Sequence, residues 1–526
     1  MIQWKNVSFS YAGQREGGLR RVDLTVKRGE CVLFCGRSGC GKTTMLRLVN
    51  GLIPGFFSGE GEGEVKLEGR EVSDLPMYAL AERAGSVFQN PRTQFFNVDT
   101  DSEIAFGIEN AALPLEELRK RVEQTARDLR IEDLRGRSIF ALSGGEKQKV
   151  AFASVYAMNP QVYVLDEPSS NLDLAAIDGL REHLRLIKSQ GKTILIAEHR
   201  LYYLMGLADK IVYLDGGEIK GVCGPEAFAQ IPQTQRIAMG LRAADLRQIH
   251  PQRELRQREL QERELQSGPD RASERGTQDR PEQKPGPGLQ SEPRRQAEAV
   301  LSLEEVTVRY KKKVILERVS LKAARGEIIA VLGHNGAGKT TFARALCGLH
   351  RDCDGRFFWA GKDFDRKARR GQSYMVMQDV GYELFAESVE KECVFGLKNP
   401  DLKLAAKTLE DLGLSGFSQQ HPNTLSGGQK QRLAVAVSMV CGKEILVFDE
   451  PTSGLDYDGM AQVAALMEAL AAQGKVLFVV THDYELICRA CTRAVCFSGG
   501  RLAGDMAVTA GSEEKLREML GFAATL

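Results

Sequence analysis

No apolar stretch in this sequence approaches the roughly 18 residues needed to cross a bilayer, so the chain offers no candidate membrane span. No secretory leader is expected either: Met1 runs straight into the strand-like MIQWKNVSFSY. Neither charge dominates. Lys and Arg number 71 against 70 Asp and Glu, which leaves no overall basic field for nucleic acid or acidic lipid. A disulfide framework is also absent. The cysteines are odd in number, 11, and scattered, and Cys31, Cys35, Cys347 and Cys496 sit in apolar runs. That usage suits reduced thiols in a cytosol. Cys488 and Cys491 have CxxC spacing, with Cys496 nearby. They lack a second pair or a histidine cluster, which argues against metal or redox use.

What is present reads as ordinary globular protein, 43% hydrophobic and 27% charged. At 526 residues the chain is too long for one core and is expected to hold two to four domains.

Two stretches organise it: CGRSGCGKTT at 35–44 and LGHNGAGKTT at 332–341. Each follows an apolar run (CVLF, IIAVL) and leads into a helix-like segment (TMLRLVNGL, TFARALCGL). Gly36, Gly41, Lys42 and Thr43 have the spacing of a phosphate-binding loop, and Gly333, Gly338, Lys339 and Thr340 repeat it. Glycines let backbone N–H groups curl around a polyphosphate where side chains would block it. The lysine reaches the terminal phosphates, the threonine hydroxyl can hold Mg²⁺, and the helix N-terminus favours an anion.

The chain is one domain written twice. The phosphate loops lie 297 residues apart, while LSGGE at 142–146 and LSGGQ at 425–429 lie 283 apart. Asp166 and Asp449, Asp173 and Asp456, and His199 and His482 keep that second offset. The first copy therefore has about 14 extra residues between its phosphate loop and LSGG. Part of this surplus falls in PGFFSGEGEGEV at 54–65, which reads as a Gly- and Glu-rich loop. The domains are placed at 1–232 and 299–526.

Residues 233–298 between them are rich in Gln, Arg, Glu, Pro and Gly. The leucines of RELRQRELQERELQ step by five and leave one helix face, and SGPD, RPEQKPGPG and SEPRR break any helix. With ten basic and ten acidic residues over 251–298, this is expected to be a disordered, neutral polyampholyte tether. Its span, roughly 40 Å, would let the domains meet face to face. Within each copy, the strands VYVLD, TILIAEH, EILVFD and KVLFVVTH alternate with helices, which predicts an α/β domain with a mostly parallel sheet covered on both faces.

VLDEP at 164–168 and VFDEP at 447–451 close buried strands with two carboxylates before a proline. The first, Asp166 or Asp449, suits Mg²⁺. The second, Glu167 or Glu450, suits polarising an attacking water. His199 and His482 end the next apolar strand, where a side chain can face a γ-phosphate.

Together these residues resemble the ATP-binding-cassette family, and the resemblance runs nearly end to end in both copies. LSGGE and LSGGQ are similar to its signature motif. The likeness implies an antiparallel β subdomain and a helical subdomain beside each parallel core. It makes Gln89 and Gln378 Q-loop glutamines that contact ATP and Mg²⁺, Asp173 and Asp456 D-loop residues, and Tyr11 and Tyr310 the aromatics stacked on adenine. Ser38, Gly39 and Thr44, with Asn335, Gly336 and Thr341, join the phosphate contacts. It implies head-to-tail closure on two ATP molecules. Lys42, Asp166, Glu167 and His199 would then share a site with Ser426, Gly427 and Gly428. Lys339, Asp449, Glu450 and His482 would share the other with Ser143, Gly144 and Gly145. Tethering raises the effective concentration of each copy for the other. Some tandem members of the family have one dead site; here both sites are expected to be competent. The one departure is Glu146 where the second copy has Gln429.

Residues 89–110 and 377–397, and AEHR at 197–200, resemble ATPases of energy-coupling-factor importers. There the region after the Q-loop receives helices of a membrane coupling protein, and another membrane protein binds a vitamin or metal ion. The expectation is an ATP- and Mg²⁺-dependent, transport-coupled ATPase, peripheral on the cytoplasmic face of the cell membrane. It would work in trans with a coupling subunit and a substrate-binding subunit, without nucleic acid. The alternatives are the tandem ATPase of a conventional importer and a soluble ribosome-associated tandem cassette. The neutral, proline-broken tether speaks against the latter, because RNA contact requires phosphate neutralisation.

Overall fold

The computed structural model describes residues 1–12, 18–110, 113–170, 172–251, 299–311, 313–378 and 380–522. Each copy carries a four-stranded antiparallel sheet and a six-stranded, mostly parallel one. In the first copy the larger sheet runs Glu218–Cys223, Lys210–Asp215, Cys31–Gly36, Thr193–Ala197, Val162–Asp166, Ala84–Val87. The second repeats that order as Arg501–Ala507, Arg493–Ser498, Ile328–Leu332, Val476–Val480, Ile445–Asp449, Ser373–Val376. Only the outermost pair, at the Glu218 or Arg501 edge, is antiparallel. The central strands are buried on both faces, which explains their unbroken apolar sequence.

The opening strands alternate instead. Ile2, Trp4, Val7 and Phe9 are buried in Ile2–Tyr11, and Leu301, Leu303, Val306 and Val308 repeat the spacing in Ala299–Tyr310. Both strands break register after the second buried residue, at Lys5/Ser8 and Glu304/Thr307, which turns Val7 and Val306 back toward the core.

The glycine-rich stretch expected as a loop is a strand. Gly59–Leu67 pairs with Ile2–Tyr11 from Tyr11↔Gly59 to Ile2↔Leu67. Its glycines permit close backbone approach: a Cβ on Gly63, at φ 89°, would stand 2.3 Å from the Asn6 carbonyl oxygen. Alternating Gly and Glu lack a hydrophobic period, so nothing in composition announced this strand.

The tether expected over 233–298 is ordered in its first part. Gln233–Ala238 is a helix, and Leu241, Ala244, Leu246 and Ile249 are buried. Residues 252–298, with the RELQ repeats, lie outside the described residues. One cluster of buried side chains includes Leu241 and Ile249 together with Met460, Tyr484 and Ile487 of the second copy. The copies also touch at equivalent positions: the Ser453 hydroxyl donates to the Ser170 carbonyl oxygen. Ser170 and Ser453 are 283 residues apart, so this contact marks a pseudo-two-fold axis between the copies.

Candidate nucleotide site

Each phosphate loop is shaped by its glycines. Gly36 and Gly333 have φ of 146° and 133°, and a Cβ there would stand 2.2 Å from the Leu214 carbonyl oxygen or 2.3 Å from that of Phe497. Gly39, Gly41, Gly336 and Gly338 also have positive φ. Gly41 and Gly338 cap the helices Lys42–Val49 and Lys339–Leu346, which contain Thr43, Thr44, Thr340 and Thr341. Both lysines are buried. Lys42 Nζ donates to the carbonyls of Gly36 and Arg37 at 3.0 and 2.9 Å, and Lys339 Nζ to those of Gly333 and His334 at 2.6 and 3.0 Å.

Behind each loop stands the carboxylate that ends the neighbouring strand. Thr43 Oγ1 donates to Asp166 Oδ1 at 3.0 Å, and Thr340 Oγ1 to Asp449 Oδ2 at 2.9 Å. Burial, with the charge of Glu167 adding, pushes the Asp166 carboxyl up to about 7. Burial raises Asp449 as well.

Glu167 and Glu450 sit at φ 45° and 51°, a left-handed conformation that costs energy for a side-chain-bearing residue. Backbone N–H bonds to Ala197 and Val480 at 2.8 Å hold each glutamate at that turn. The carboxylates thus swing out of the strand line toward the histidines. His199 Nε2 lies 3.3 Å from Glu167 Oε1, and His482 Nε2 3.8 Å from Glu450 Oε1. Gln89 Nε2 donates to Glu167 Oε2 at 2.6 Å, while the exposed Gln378 follows the strand Ser373–Val376 at the equivalent place. Burial pushes Glu450 up to about 7 and His482 well below its ordinary value, so that this imidazole is neutral.

The copies complete each other. Asp456 Oδ2 accepts the Ser38 backbone N–H at 2.7 Å, and Asp173 Oδ2 accepts that of Asn335 at 2.9 Å. A Cβ on Gly454 would stand 3.1 Å from Glu167 Oε2, and one on Gly145 3.4 Å from Asn335 Nδ2. The first signature segment therefore lies against the second phosphate loop.

Ser143 and Ser426 cap the helices Gly144–Met158 and Gly427–Val440 through matching capping boxes. Glu146 and Gln429 both reach back to the serine N–H, at 2.7 and 2.9 Å, so the one departure between the signatures changes no bond at the cap.

The two tyrosines are placed differently. The Tyr11 hydroxyl lies 3.1 Å from Thr44 Oγ1 and accepts from Arg47, with Phe9 and Phe57 edge-on to its ring. Tyr310 is 64% exposed at its strand end. Cys488 and Cys491 are buried thiols, remote in sequence from either loop.

Sequence reasoning missed Glu198. It is buried and accepts from Ser169 Oγ, Tyr203 Oη and the N–H groups of His199 and Arg200 at 2.7 to 3.1 Å, pinning the His199 loop. The signal was a mismatch in an otherwise gapless repeat: Glu198 and Arg200 flank one histidine, Thr481 and Asp483 the other.

Two phosphate loops, each facing the D-loop of the other copy across a pseudo-two-fold axis, define a tandem nucleotide-hydrolysing cassette protein. The ABC transporter family profile matches residues 19–170 and 316–453. The chain is 45% identical to a protein of Treponema denticola provisionally named an ABC transporter ATP-binding protein, over 96% of this chain and 97% of that one. It is 34% identical to a Methanosarcina acetivorans protein of the same provisional name, over 98% and 87% of the two chains. Among solved structures it resembles a chain in a model of ribosome-bound archaeal Pelota and ABCE1, with a TM-score of 0.66 and 21% identity over 97% and 80% of the chains, a likeness of fold. The chain belongs to the ABC transporter family as a tandem ABC ATPase, which binds and hydrolyses ATP.

Proposed function

We propose that this chain is the Mg²⁺-dependent motor of an energy-coupling-factor importer, peripheral on the cytoplasmic membrane face. It converts closure of two composite ATP sites into movement of separate membrane subunits that take up a vitamin or a metal ion. The observation that carries this reading is a pair of exposed aromatics after each Q-loop. Phe96 is 73% exposed and stacks on Phe106 with ring centroids 4.9 Å apart. Phe385, 70% exposed, and Phe395 occupy the same places in the second copy. Large apolar groups left in water at two equivalent positions suit helices of a partner. Among the described residues no helix is long and apolar enough to cross a membrane, so a membrane partner would be a separate chain.

In this reading Glu167 and Glu450 orient and polarise the attacking water, and His199 and His482 face the γ-phosphate. Ser143 and Ser426, with the N–H groups of the glycines that follow, bind the same phosphate from the opposite copy. Thr43 with Asp166, and Thr340 with Asp449, fit a hard cation: each pair presents two oxygens about 3 Å apart, and burial leaves the carboxyl short of a counter-charge. Mg²⁺ bound there supplies charge neutralisation of the phosphates.

Purification in mild detergent from the native membrane tests the assignment. Co-purification of a coupling subunit and a small membrane substrate binder is expected, and is lost in the Phe96→Glu/Phe385→Glu variant. Recovery with ribosomes, or with a two-subunit permease and soluble binding protein, would replace this reading.

A further inference from the structure

The segment 238–250 leaves the first copy and crosses the second. Arg37 Nη2 donates to the Ala238 carbonyl at 2.6 Å, the Tyr457 N–H to the Gly240 carbonyl at 3.2 Å, and Tyr484 Oη to the Ile249 carbonyl at 3.3 Å. His250 Nδ1 reaches Glu513 at 3.1 Å. At the centre lies Arg242, 3% exposed, whose Nη2 donates to Asp483 Oδ2 at 2.5 Å and Nε to Glu485 Oε1 at 2.9 Å. The Ala243 N–H adds a bond to Glu485 at 3.2 Å.

Asp483 is the residue after His482. The oxygen that receives Arg242 also receives Thr452 Oγ1 at 2.6 Å, and Thr452 lies two residues beyond Glu450. The other Asp483 oxygen caps the helix Tyr484–Ala490. One carboxylate therefore ties the histidine loop to the glutamate loop, and its counter-charge arrives from the other copy. Among the described residues neither nitrogen of His482 has a hydrogen-bond partner, so the position of its loop, with the packing around the ring, aims it.

The first copy is built otherwise. There Glu198 bonds Ser169, the equivalent of Thr452, and the His199 N–H from within the same copy, and Arg200 replaces Asp483. The partners of Glu198, namely Ser169, His199, Arg200 and Tyr203, all belong to the first copy. Among the described residues, the strap formed by the segment 238–250 bonds the residues beside His482, and Glu198 takes that place beside His199.

We propose that Arg242 is a positioning residue for the second ATP site alone: through Asp483 it holds the His482 and Glu450 loops in register, so that hydrolysis there requires the strap to be docked. The proposal rests on the reading that both sites hydrolyse ATP. The test compares Arg242→Ala and Arg242→Lys in a Glu167→Gln chain, where the second site works alone, and in a Glu450→Gln chain, where the first does. In the former, Arg242→Ala should lower kcat by about 10-fold or more with KM for ATP within about twofold, and Arg242→Lys should recover part of it. In the latter, kcat should stay within about twofold. Equal losses in both backgrounds, as general interface glue would give, or no loss in either, would overturn the proposal.

If Arg242→Ala melts below the assay temperature, Arg242→Lys carries the same comparison. If Glu167→Gln alone abolishes turnover, the two-site reading fails independently. The strap is then judged by hydrogen exchange at residues 480–486 in the otherwise unaltered chain: faster exchange in Arg242→Lys supports it, and unchanged exchange overturns it.

Discussion

The carboxylate of Asp456 accepts the backbone N–H of Ser38 at 2.7 Å, so a D-loop of one copy is bonded to the phosphate loop of the other. Asp173 and Asn335 repeat the bond at 2.9 Å. Each aspartate also caps its own helix, through Gly459 or Ala176. A phosphate loop thus reports to the opposite copy through one charged acceptor. Asp456→Asn keeps a capping side chain but loses the charge. A hydrogen bond to a charged group contributes about 1.5–3 kcal/mol, so in a Glu450→Gln chain, where the first site works alone, Asp456→Asn should lower the steady-state ATPase by roughly 10-fold. Melting temperature should change little, because asparagine caps helices nearly as well. Turnover and thermal melting of the same preparation check this.

The carboxyl of the half-buried Glu383 makes a second prediction. It accepts the Met377 N–H at 2.8 Å through one oxygen, and its other oxygen has no hydrogen-bond partner among the described residues. Gln94 holds the equivalent place in the first copy and accepts from Phe88. Burial, opposed by the Met377 N–H and aided by the charge of Asp449, pushes Glu383 from 4.5 up to about 7. The folded state therefore keeps a proton that the unfolded chain loses. Its contribution to stability is full below about pH 4.5 and is lost as pH rises through about 7. Glu383→Gln, an amide that cannot ionise, should raise stability at pH 8 by about 1–2 kcal/mol, within the ceiling set by 1.36 kcal/mol per pKa unit. It should bring little gain near pH 4. Denaturant melts at the two pH values test the sign.

The capping boxes predict a near-neutral change. Glu146 bonds the Ser143 N–H as Gln429 bonds that of Ser426. Glu146→Gln should keep ATPase within about twofold, since the bond needs only a carbonyl oxygen. Glu146→Ala should cost about 1 kcal/mol of stability, as cap losses do. A larger effect of the glutamine variant would mean that the Glu146 charge, which Arg137 approaches at 3.4 Å, has a role of its own.

Much of this molecule was legible because its chemistry repeats. The phosphate loops, the Asp–Glu strand ends and the histidines follow from spacing, and the structure brings them together where strand order demands. What was not legible has physical reasons. The strand Gly59–Leu67 is exposed over most of its length and shows no hydrophobic period. The strap at 238–250 was read into the tether because its charged residues match those that follow. Only the buried spacing of Leu241, Ala244, Leu246 and Ile249 distinguishes it. Glu198 serves the first histidine loop from a position where the second copy has Thr481, so repeat logic concealed it.

The two sites are alike in composition and unlike in detail, and this bears on the last prediction. Glu167 is gripped by Gln89 at 2.6 Å and faces His199 at 3.3 Å, while Glu450 stands 3.8 Å from His482. Both glutamates share the strained left-handed turn that aims them, and conserving geometry through glutamine isolates the loss of the base. Glu167→Gln and Glu450→Gln should each leave an ATPase of roughly half the parent, and the double variant should fall by about 100-fold or more. Each single variant should still close on ATP, seen as a compact form by small-angle scattering. An untouched rate in Glu167→Gln together with a silent Glu450→Gln would mean that only the second site turns over. The Gln89–Glu167 bond would then belong to a site that binds ATP and holds it.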